Sequence, residues 1–261
     1  MIKIAFFDID GTSYLHTLKD SPNSTKVALQ KLKENGIKII FNTSRTYHEL
    51  IELPNHFFTQ SDALVCGGGS EIYVDQQCIV AHKLDKAEQD KILKILNEKN
   101  IPYRWTTALG DNHVSSNKEE IKQRFMDCYG MSPTYKQHTD EVLTHLLYFA
   151  QEQSIIDEID KLCTKSEHLI LGFSNEITAK GITKAHGIKE CAEYFGIKLE
   201  ETVAFGDGVN DIEMLKLAGI GIAMGNASHT LKTVANYVTE KIEEDGLYNA
   251  CEHFNWFLER G

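Results

Sequence analysis

Two aspartates that follow an apolar run are the residues of this chain best placed to do chemistry. The apolar residues 4–7 lead into Asp8, Ile9 and Asp10, and Gly11 comes next. This pattern predicts a buried parallel strand that ends in a loop, and open α/β sheets bind their ligands at that end. Residues two apart in an extended chain point to the same side, so the two carboxylates should converge and require a hard cation, most simply Mg²⁺. The alternative interpretation is an ordinary Asp-Gly turn.

A second acidic loop repeats this arrangement late in the chain. Residues 202–205 read as a buried strand, and the loop 206–211 (Gly-Asp-Gly-Val-Asn-Asp) follows it. Glycines let the backbone approach a ligand closely, and Asp207 and Asp211 add two carboxylates. Taken alone, the same residues are also typical of a loop that caps a helix.

A hydroxyl and a lysine complete the set. Thr43 follows the predicted strand 37–41, where its hydroxyl is placed either to bind an anionic oxygen or to cap the next helix. Lys184, at the start of a predicted helix, and Lys180, in the loop before it, are the two candidates for a positive charge. Carboxylates, Mg²⁺, a lysine and a hydroxyl are together what phosphoryl transfer requires, because that chemistry depends on positioning and charge neutralisation.

The composition excludes several classes of protein. The 261 residues are 42% hydrophobic and 25% charged, as in a globular protein of one or two domains. With no apolar run near the ~20 residues of a membrane span and no leader before the first strand, we expect a cytoplasmic protein without a membrane partner. The six cysteines form no Cys-x-x-Cys pair and should be reduced. The net charge of −11 argues against nucleic-acid binding, and it requires a site for an anionic substrate to carry its own positive charge.

The helices and strands that position these residues fall into three parts of the chain. The first part contains helix 25–35, strand 37–41, helix 47–53, strand 63–66 and hairpin 71–81. The middle part contains helix 86–97, strand 103–107, helix 118–129, strand 142–149, helix 154–163 and strand 168–173. The last part contains helix 183–194, strand 202–205, helix 210–218 and strand 219–224. The sequence therefore predicts an α/β domain into which a separate α+β unit is inserted.

These motifs resemble those of the haloacid dehalogenase (HAD) superfamily of phosphatases, specifically its Cof-type, sugar-phosphatase-like group, over essentially the whole chain. Residues 8–12 look like the first motif and Thr43 like the second. Lys184 looks like the third because it precedes Asp207 by the usual interval, and 206–211 looks like the fourth, which is the most specific. Residues 223–227 and 244–247 also match the group. The departures are Ser44 and Ala185, where glycines are common, and Ser13 and Tyr14, which replace an apolar pair.

The resemblance implies a fold. It would be an α/β, Rossmann-like parallel-sheet core made of residues 1–82 and 179–261. An inserted α+β cap of the C2 type, residues 83–178, would close over the site and read the part of the substrate beyond the phosphate. No pattern shows which cap residues do so. The residues considered are Tyr103, Arg104, Trp105, His113 and His145, for each of which packing or a solvated surface position is the alternative role, and Arg104 and Trp105 are the two chosen for substitution.

The resemblance also implies a role for each motif residue. Asp8 would be the nucleophile and would form an aspartyl-phosphate, and Asp10 would be the general acid and base. The phosphate would be bound by Thr43, Lys184 and Asn210, the last of which would orient either Lys184 or the phosphate. Mg²⁺ would be held by Asp8, by Asp207 and by the backbone carbonyl group of Asp10, with Asp211 as a further ligand or as a support.

The function that this implies is a Mg²⁺-dependent phosphatase for small phosphorylated metabolites, such as sugar phosphates. Two alternatives remain open: a phosphomutase on the same scaffold and a catalytically silent protein that binds a phosphorylated ligand. A dehalogenase would need neither Asp10 nor the metal cluster. Neither the physiological substrate nor the oligomeric state can be read from the sequence.

Overall fold

Two β-sheets organise the chain, of which the computed structural model describes residues 1–172 and 174–257. The strands are β1 (Ile4–Phe7), β2 (Lys38–Asn42), β3 (Ala63–Cys66), β4 (Glu71–Val74), β5 (Gln77–Ala81), β6 (Tyr103–Thr107), β7 (His113–Val114), β8 (Thr134–Tyr135), β9 (Leu143–Tyr148), β10 (Ser166–Ile170), β11 (Asn175–Ala179), β12 (Thr202–Gly206), β13 (Ile220–Ala223) and β14 (Tyr237–Val238). The helices are α1 (Asn23–Glu34), α2 (Tyr47–Leu50), α3 (His56–Thr59), α4 (Lys86–Glu98), α5 (Glu119–Tyr129), α6 (Gln153–Asp160), α7 (Lys184–Tyr194), α8 (Ile212–Leu217), α9 (His229–Val234) and α10 (Gly246–His253).

The larger sheet has eight strands in the order β14-β13-β12-β1-β2-β3-β4-β5. The strands from β14 to β3 run parallel, and the β4–β5 hairpin adds an antiparallel edge. Helices α1 and α10 pack on one face, and α7 and α8 pack on the other. Because both faces are covered, the central strand β1 is fully buried and apolar throughout.

The smaller sheet comes entirely from the middle of the chain. Its order is β10-β11-β9-β6-β7-β8, and every pairing is antiparallel except β7 with β8. One face packs against α4 and α6 around Trp105 and Leu146. A smaller apolar cluster joins α5 to β9 through Phe125 and Leu147. The predicted fold class, an α/β parallel-sheet core with an inserted α+β unit, is confirmed.

Two connections join the larger sheet to the inserted unit. In the first, the His82 N–H donates to the Ser70 carbonyl of the core at 2.8 Å, whereas the Leu84 N–H donates to the Leu143 carbonyl of the inserted unit at 2.8 Å. The chain therefore passes from the core to the inserted unit at Lys83. The second connection is the short segment between β11 and α7. We name the inserted unit the cap; its limits at 83 and 178 remain a proposal.

Most predicted elements are present, and the differences have local causes. The predicted strand 168–173 is wrong in its limits: β10 is Ser166–Ile170, and Phe173 lies outside the described residues. The strand ends early because Gly172 has a φ of 85° and the Leu171 N–H donates to the Ser174 carbonyl, which closes a turn. The predicted helix 210–218 opens with a 3₁₀ turn, Val209–Asp211, before α8. Strands β7, β8, β11 and β14 and helices α3, α9 and α10 were not predicted. Within the described residues, no helix has both the length and the apolarity to cross a bilayer.

Candidate active site

The candidate site lies at the carboxyl end of the central strands of the larger sheet. Strand β1 lies between β2 and β12, and all three run parallel, so the residues that follow them meet at one edge. A cavity of about 420 Å³ opens there between the core and the cap. The predicted site residues that line it are Asp8, Asp10, Thr43, Asp207 and Asn210.

The Lys184 ammonium group is buried behind the cavity. It donates to Asp8 Oδ1 at 2.5 Å and to Asp211 Oδ1 at 2.7 Å. The alternative lysine, Lys180, is 60% exposed and pairs with Glu167 at 3.2 Å on the surface. Of the two candidates that the sequence offered, the structure places Lys184 in the site. It is there because it is the first residue of α7, and its backbone carbonyl accepts a hydrogen bond at 2.8 Å from Asn42, the last residue of β2.

Asp211 shapes the second acidic loop from a fully buried position. Its Oδ2 accepts hydrogen bonds from the backbone N–H groups of Asp207 at 3.0 Å and Gly208 at 2.9 Å. A Cβ atom on Gly206 would lie 2.5 Å from the Asp211 side chain, so the loop needs glycine there. Since both carboxylate oxygens already accept from the protein, this geometry favours Asp211 as a support for the loop.

Asp207 projects into the cavity and is fixed from two sides. Thr12 donates to its Oδ1 at 2.8 Å, and the Asn226 amide donates to its Oδ2 at 3.2 Å. The same amide donates to the Gly11 carbonyl at 2.9 Å, which ties the first acidic loop to the second. A Cβ on Gly11, whose φ is 86°, would lie 2.3 Å from Asp207. Burial, and then repulsion from Asp211, raise the pKa of Asp207 to about 6.

The carboxylates of Asp8, Asp207 and Asp211 form a cluster that fits a hard cation. One oxygen from each lies within 4.8 Å of the others. Burial raises the pKa of Asp8 well above its usual range, and the other carboxylates add to the effect against the opposing charge of Lys184. One buried ammonium group is thus shared among several carboxylates. Oxygen donors of this kind suit Mg²⁺, which would relieve the remaining repulsion.

Asp10 lines the same cavity as Asp8, but its carboxylate has partners of its own. Arg45 donates to both oxygens, from Nε at 2.8 Å and from Nη2 at 2.7 Å, and His16 lies 2.9 Å from Oδ1. Although burial acts in the opposite direction, the charge and hydrogen bonds of Arg45 hold the pKa of Asp10 well below its usual range. The expectation that the Asp8 and Asp10 carboxylates share one cation is therefore wrong for the Asp10 side chain. A carbonyl ligand from Asp10 stays a prediction.

Arg45 is the main residue that the sequence reasoning missed. It is 1% exposed, and its remaining nitrogen, Nη1, donates to the Tyr129 carbonyl of the cap at 2.9 Å. It thereby joins the proposed general acid to helix α5. The available signal was position: Arg45 lies two residues after Thr43, in the loop that follows β2.

Asn210 is linked to the cap through Ser44 and does not bond to the lysine. Its amide donates to Ser44 Oγ at 3.1 Å, and Ser44 donates to Glu176 Oε2 of the cap at 2.9 Å. Within residues 1–172 and 174–257, the hydrogen bonds of the Lys184 ammonium go to the two aspartates described above. The expectation that Asn210 orients Lys184 is therefore wrong, and a contact with phosphate remains a proposal.

The cap residues that face the cavity differ from those expected. They are Asp127, Cys128, Tyr129, Leu171 and Glu176. Arg104 is fully buried in an ion pair with Glu49 of the core, at 2.6 Å, and Trp105 is fully buried in the apolar interior of the cap. The expectation that Arg104 and Trp105 read the substrate is not supported by their positions.

Comparisons with known proteins identify the family of this chain. A family model for haloacid dehalogenase-like hydrolases matches residues 5–251. The 5-amino-6-(5-phospho-D-ribitylamino)uracil phosphatase YcsE of Bacillus subtilis is 27% identical to this chain. The match covers 98% of this chain and 96% of YcsE. Among solved structures, the HAD subclass IIB sugar phosphatase BT4131 is 30% identical with a TM-score of 0.88, over 97% of this chain and 99% of its own. The chain therefore belongs to the haloacid dehalogenase-like hydrolase family and is one of its phosphoric monoester hydrolases.

Proposed function

We propose that this hydrolase is a Mg²⁺-dependent phosphatase for small phosphorylated metabolites, sugar phosphates or similar monoesters, and that it acts through an aspartyl-phosphate on Asp8. The observation that carries the proposal is the position of Asp8 in the cavity, with one oxygen bonded to the buried Lys184 ammonium at 2.5 Å. That contact orients the carboxylate and leaves its second oxygen for attack on phosphorus.

Two carboxylates divide the chemistry between them. The Asp8 oxygen forms a bond to phosphorus while the bond to the leaving alcohol oxygen breaks, and Asp10 gives that oxygen its proton. Water then attacks the phosphorus of the aspartyl-phosphate, Asp10 accepts the proton of that water, and Asp8 is regenerated. Thr43 and Lys184 hold the phosphoryl oxygens and supply the local donors that the net charge of −11 makes necessary.

The Arg45–Asp10 pair adds a condition to this scheme. A general acid must carry a proton, whereas Arg45 binds both Asp10 oxygens and favours the ionised form. Because Arg45 also donates to the Tyr129 carbonyl, a shift of the cap would change how tightly it holds Asp10. We therefore place the release of Asp10 from Arg45 before the proton transfer.

The metal site would use Asp8 and Asp207, with the carbonyl group of Asp10, while Asp211 holds the loop. When bound, Mg²⁺ would neutralise phosphoryl charge and bring the anionic ester to an anionic nucleophile. Thr12 and Asn226 keep Asp207 directed at the cavity whether or not a cation is present.

The walls of the cavity favour a small, hydroxyl-rich monoester. Glu176 is buried, and its Oε1 has no hydrogen-bond partner among the described residues, so it is ready to accept from a substrate hydroxyl. Asp127 adds another acceptor and disfavours a second phosphate. A sugar phosphatase and a ribitylaminouracil phosphatase among the relatives act on substrates of this kind. The phosphomutase alternative is not favoured by these relatives, and the cytoplasmic location stays a prediction.

The test is phosphate release from a panel of phosphorylated metabolites by wild type, Asp8→Asn and Asp75→Asn. Asp8→Asn keeps the shape of the side chain and should abolish turnover in a folded protein, because the covalent route is lost. Asp75 lies in the hairpin turn with a φ of 49°, which asparagine also tolerates, so Asp75→Asn should behave as wild type. Substantial turnover by a folded Asp8→Asn protein would refute the mechanism. Conversion of a phosphate ester to its isomer without free phosphate would favour the mutase.

A further inference from the structure

A second cluster of metal-ligand side chains lies away from the active site. His82, His186 and Glu190 each offer one ligand atom, and these atoms lie within 4.8 Å of one another. His186 and Glu190 are four residues apart on α7, so they share one face of the helix. His82 comes from the first connection between core and cap. The three are thus brought together by the tertiary fold.

Two of the three distances in this cluster are close to those around a tetrahedral metal ion. His82 Nε2 lies 3.0 Å from Glu190 Oε1, and His186 Nε2 lies 3.3 Å from the same oxygen. Ligands held at zinc bond lengths in a tetrahedron are about 3.3 Å apart. The ligand atom of each side chain lies within 4.8 Å of the other two, so the three are close enough to converge on one ion.

The donor set determines which ion would bind. Two imidazole nitrogens and one carboxylate oxygen suit Zn²⁺ and similar transition metals, whereas Mg²⁺ prefers oxygen ligands alone. The side chains of His82, His186 and Glu190 are 26%, 31% and 23% exposed, so water can reach the cluster and supply a fourth ligand. The aspartate cluster of the active site contains no nitrogen donor and differs from it in class.

The position of His82 gives the cluster a mechanical consequence. Its backbone N–H bonds to Ser70 of the core, and only two residues later the Leu84 N–H bonds to the cap. Helix α7 begins just after the second connection, and His186 is in its first turn. An ion held by the three side chains would therefore fasten the first connection to the helix that follows the second.

We propose that His82, His186 and Glu190 form a binding site for Zn²⁺ or a related transition-metal ion, and that the bound ion stiffens the connections between core and cap. This site is independent of the catalytic metal. Replacing either histidine should therefore leave turnover with Mg²⁺ alone unchanged.

The test measures Zn²⁺ binding by calorimetry and Co²⁺ binding by visible absorption, on tag-free protein in excess Mg²⁺. The variants His82→Gln, His186→Gln and Glu190→Gln keep hydrogen-bonding groups but remove one metal ligand each. The control is His253→Gln, because His253 stacks on Tyr237 in β14, at the opposite edge of the larger sheet from β5. Wild type and control should bind one ion in a tetrahedral, nitrogen-containing site. Each ligand variant should bind it at least about tenfold more weakly.

Two further measurements separate this site from the active site and test its effect. Asp207→Asn should keep the Co²⁺ spectrum, and Zn²⁺ should slow amide exchange at residues 82–84 in wild type but not in His82→Gln. The metal site is refuted if Zn²⁺ and Co²⁺ do not bind, or if the three ligand variants bind them as tightly as wild type does. Binding through these residues without slower exchange at 82–84 would overturn the proposed stiffening.

Discussion

Replacement of Lys184 by methionine removes the one ammonium group that the Asp8 and Asp211 carboxylates share. Both carboxylates are buried, and the contacts are 2.5 and 2.7 Å. Breaking a buried pair from one side costs about 3–5 kcal/mol, because the partner is left uncompensated. Asp8 can limit the loss by taking up a proton, since its pKa is already raised, whereas Asp211 loses the partner of its Oδ1 and keeps the two backbone N–H bonds to its Oδ2. We therefore expect the free energy of unfolding to fall by about 3–5 kcal/mol without Mg²⁺, and by less with it.

The catalytic effect of the same change has a separate size. Loss of one contact to the transferring phosphoryl group typically lowers kcat by about 10²–10³-fold. Every substrate shares that group, so all esters in a panel should lose activity by similar factors.

Lys180→Met is the matched control. Lys180 lies four residues away but is 60% exposed, and a surface pair such as the one with Glu167 is worth about 0–1 kcal/mol. Its replacement should leave kcat nearly unchanged. The double variant Lys184→Met/Asp211→Asn should recover part of the stability, because the orphaned charge is removed, but none of the activity.

The measurements are urea unfolding, with and without Mg²⁺, and steady-state phosphate release. They are made on wild type, Lys184→Met, Lys180→Met and the double variant. The reasoning fails if Lys184→Met keeps kcat within about threefold of wild type, well short of the loss expected for an oxyanion contact. It also fails if Lys180→Met loses as much activity as Lys184→Met.

Three further predictions concern the metal, the cap and a buried carboxyl group. Chelation of Mg²⁺ should abolish phosphate release and re-addition should restore it, with Ca²⁺ a poor substitute because its looser coordination misplaces Asp8; full activity after exhaustive chelation would contradict this. Leu171→Ala and Cys128→Ser change the cap wall of the cavity and should alter kcat/KM unequally across a substrate panel. Thr43→Val should lower kcat/KM for all esters alike. If only Thr43→Val changed the order of preference among the esters, the cap residues would not be the ones that set specificity. Burial raises the pKa of Glu71, so its folded form favours the proton, and wild type should lose stability relative to Glu71→Gln as the pH rises from about 4 to 7. Thermal unfolding across that range checks the sign, and parallel curves for the two proteins would exclude it.

The core of the site was predictable because its signals are local. An apolar run that ends in Asp8 and another that leads to Asp207 each predict a strand and its ligand-binding end within about ten residues of sequence. Those strands are adjacent and parallel, which brings the loops together. The choice of Lys184 over Lys180 required the resemblance, since composition and helical pattern suit either.

The cap side of the site was not predictable for the same reason. Strand β11 was missed because Asn175 and Glu176 are polar, a pattern typical of loops. Both are nevertheless buried: Glu176 lines the cavity, and the Asn175 amide donates to the Ala150 carbonyl inside the cap. The Arg45 contact with Tyr129 joins residues that no local pattern relates. Recognition of the substrate depends on such contacts, so the sequence left its residues unidentified.

The place of β1 in the larger sheet has a consequence for how the protein is made. Its neighbour on one side, β2, follows soon in the chain, but its other neighbour, β12, pairs Phe7 with Phe205. At the usual speed of a ribosome, about 10–40 s separate the synthesis of those two residues. All strands of the smaller sheet are synthesised in that interval. The nascent chain therefore carries an apolar strand with one open edge throughout the synthesis of the cap, the state in which we expect it to depend most on chaperones.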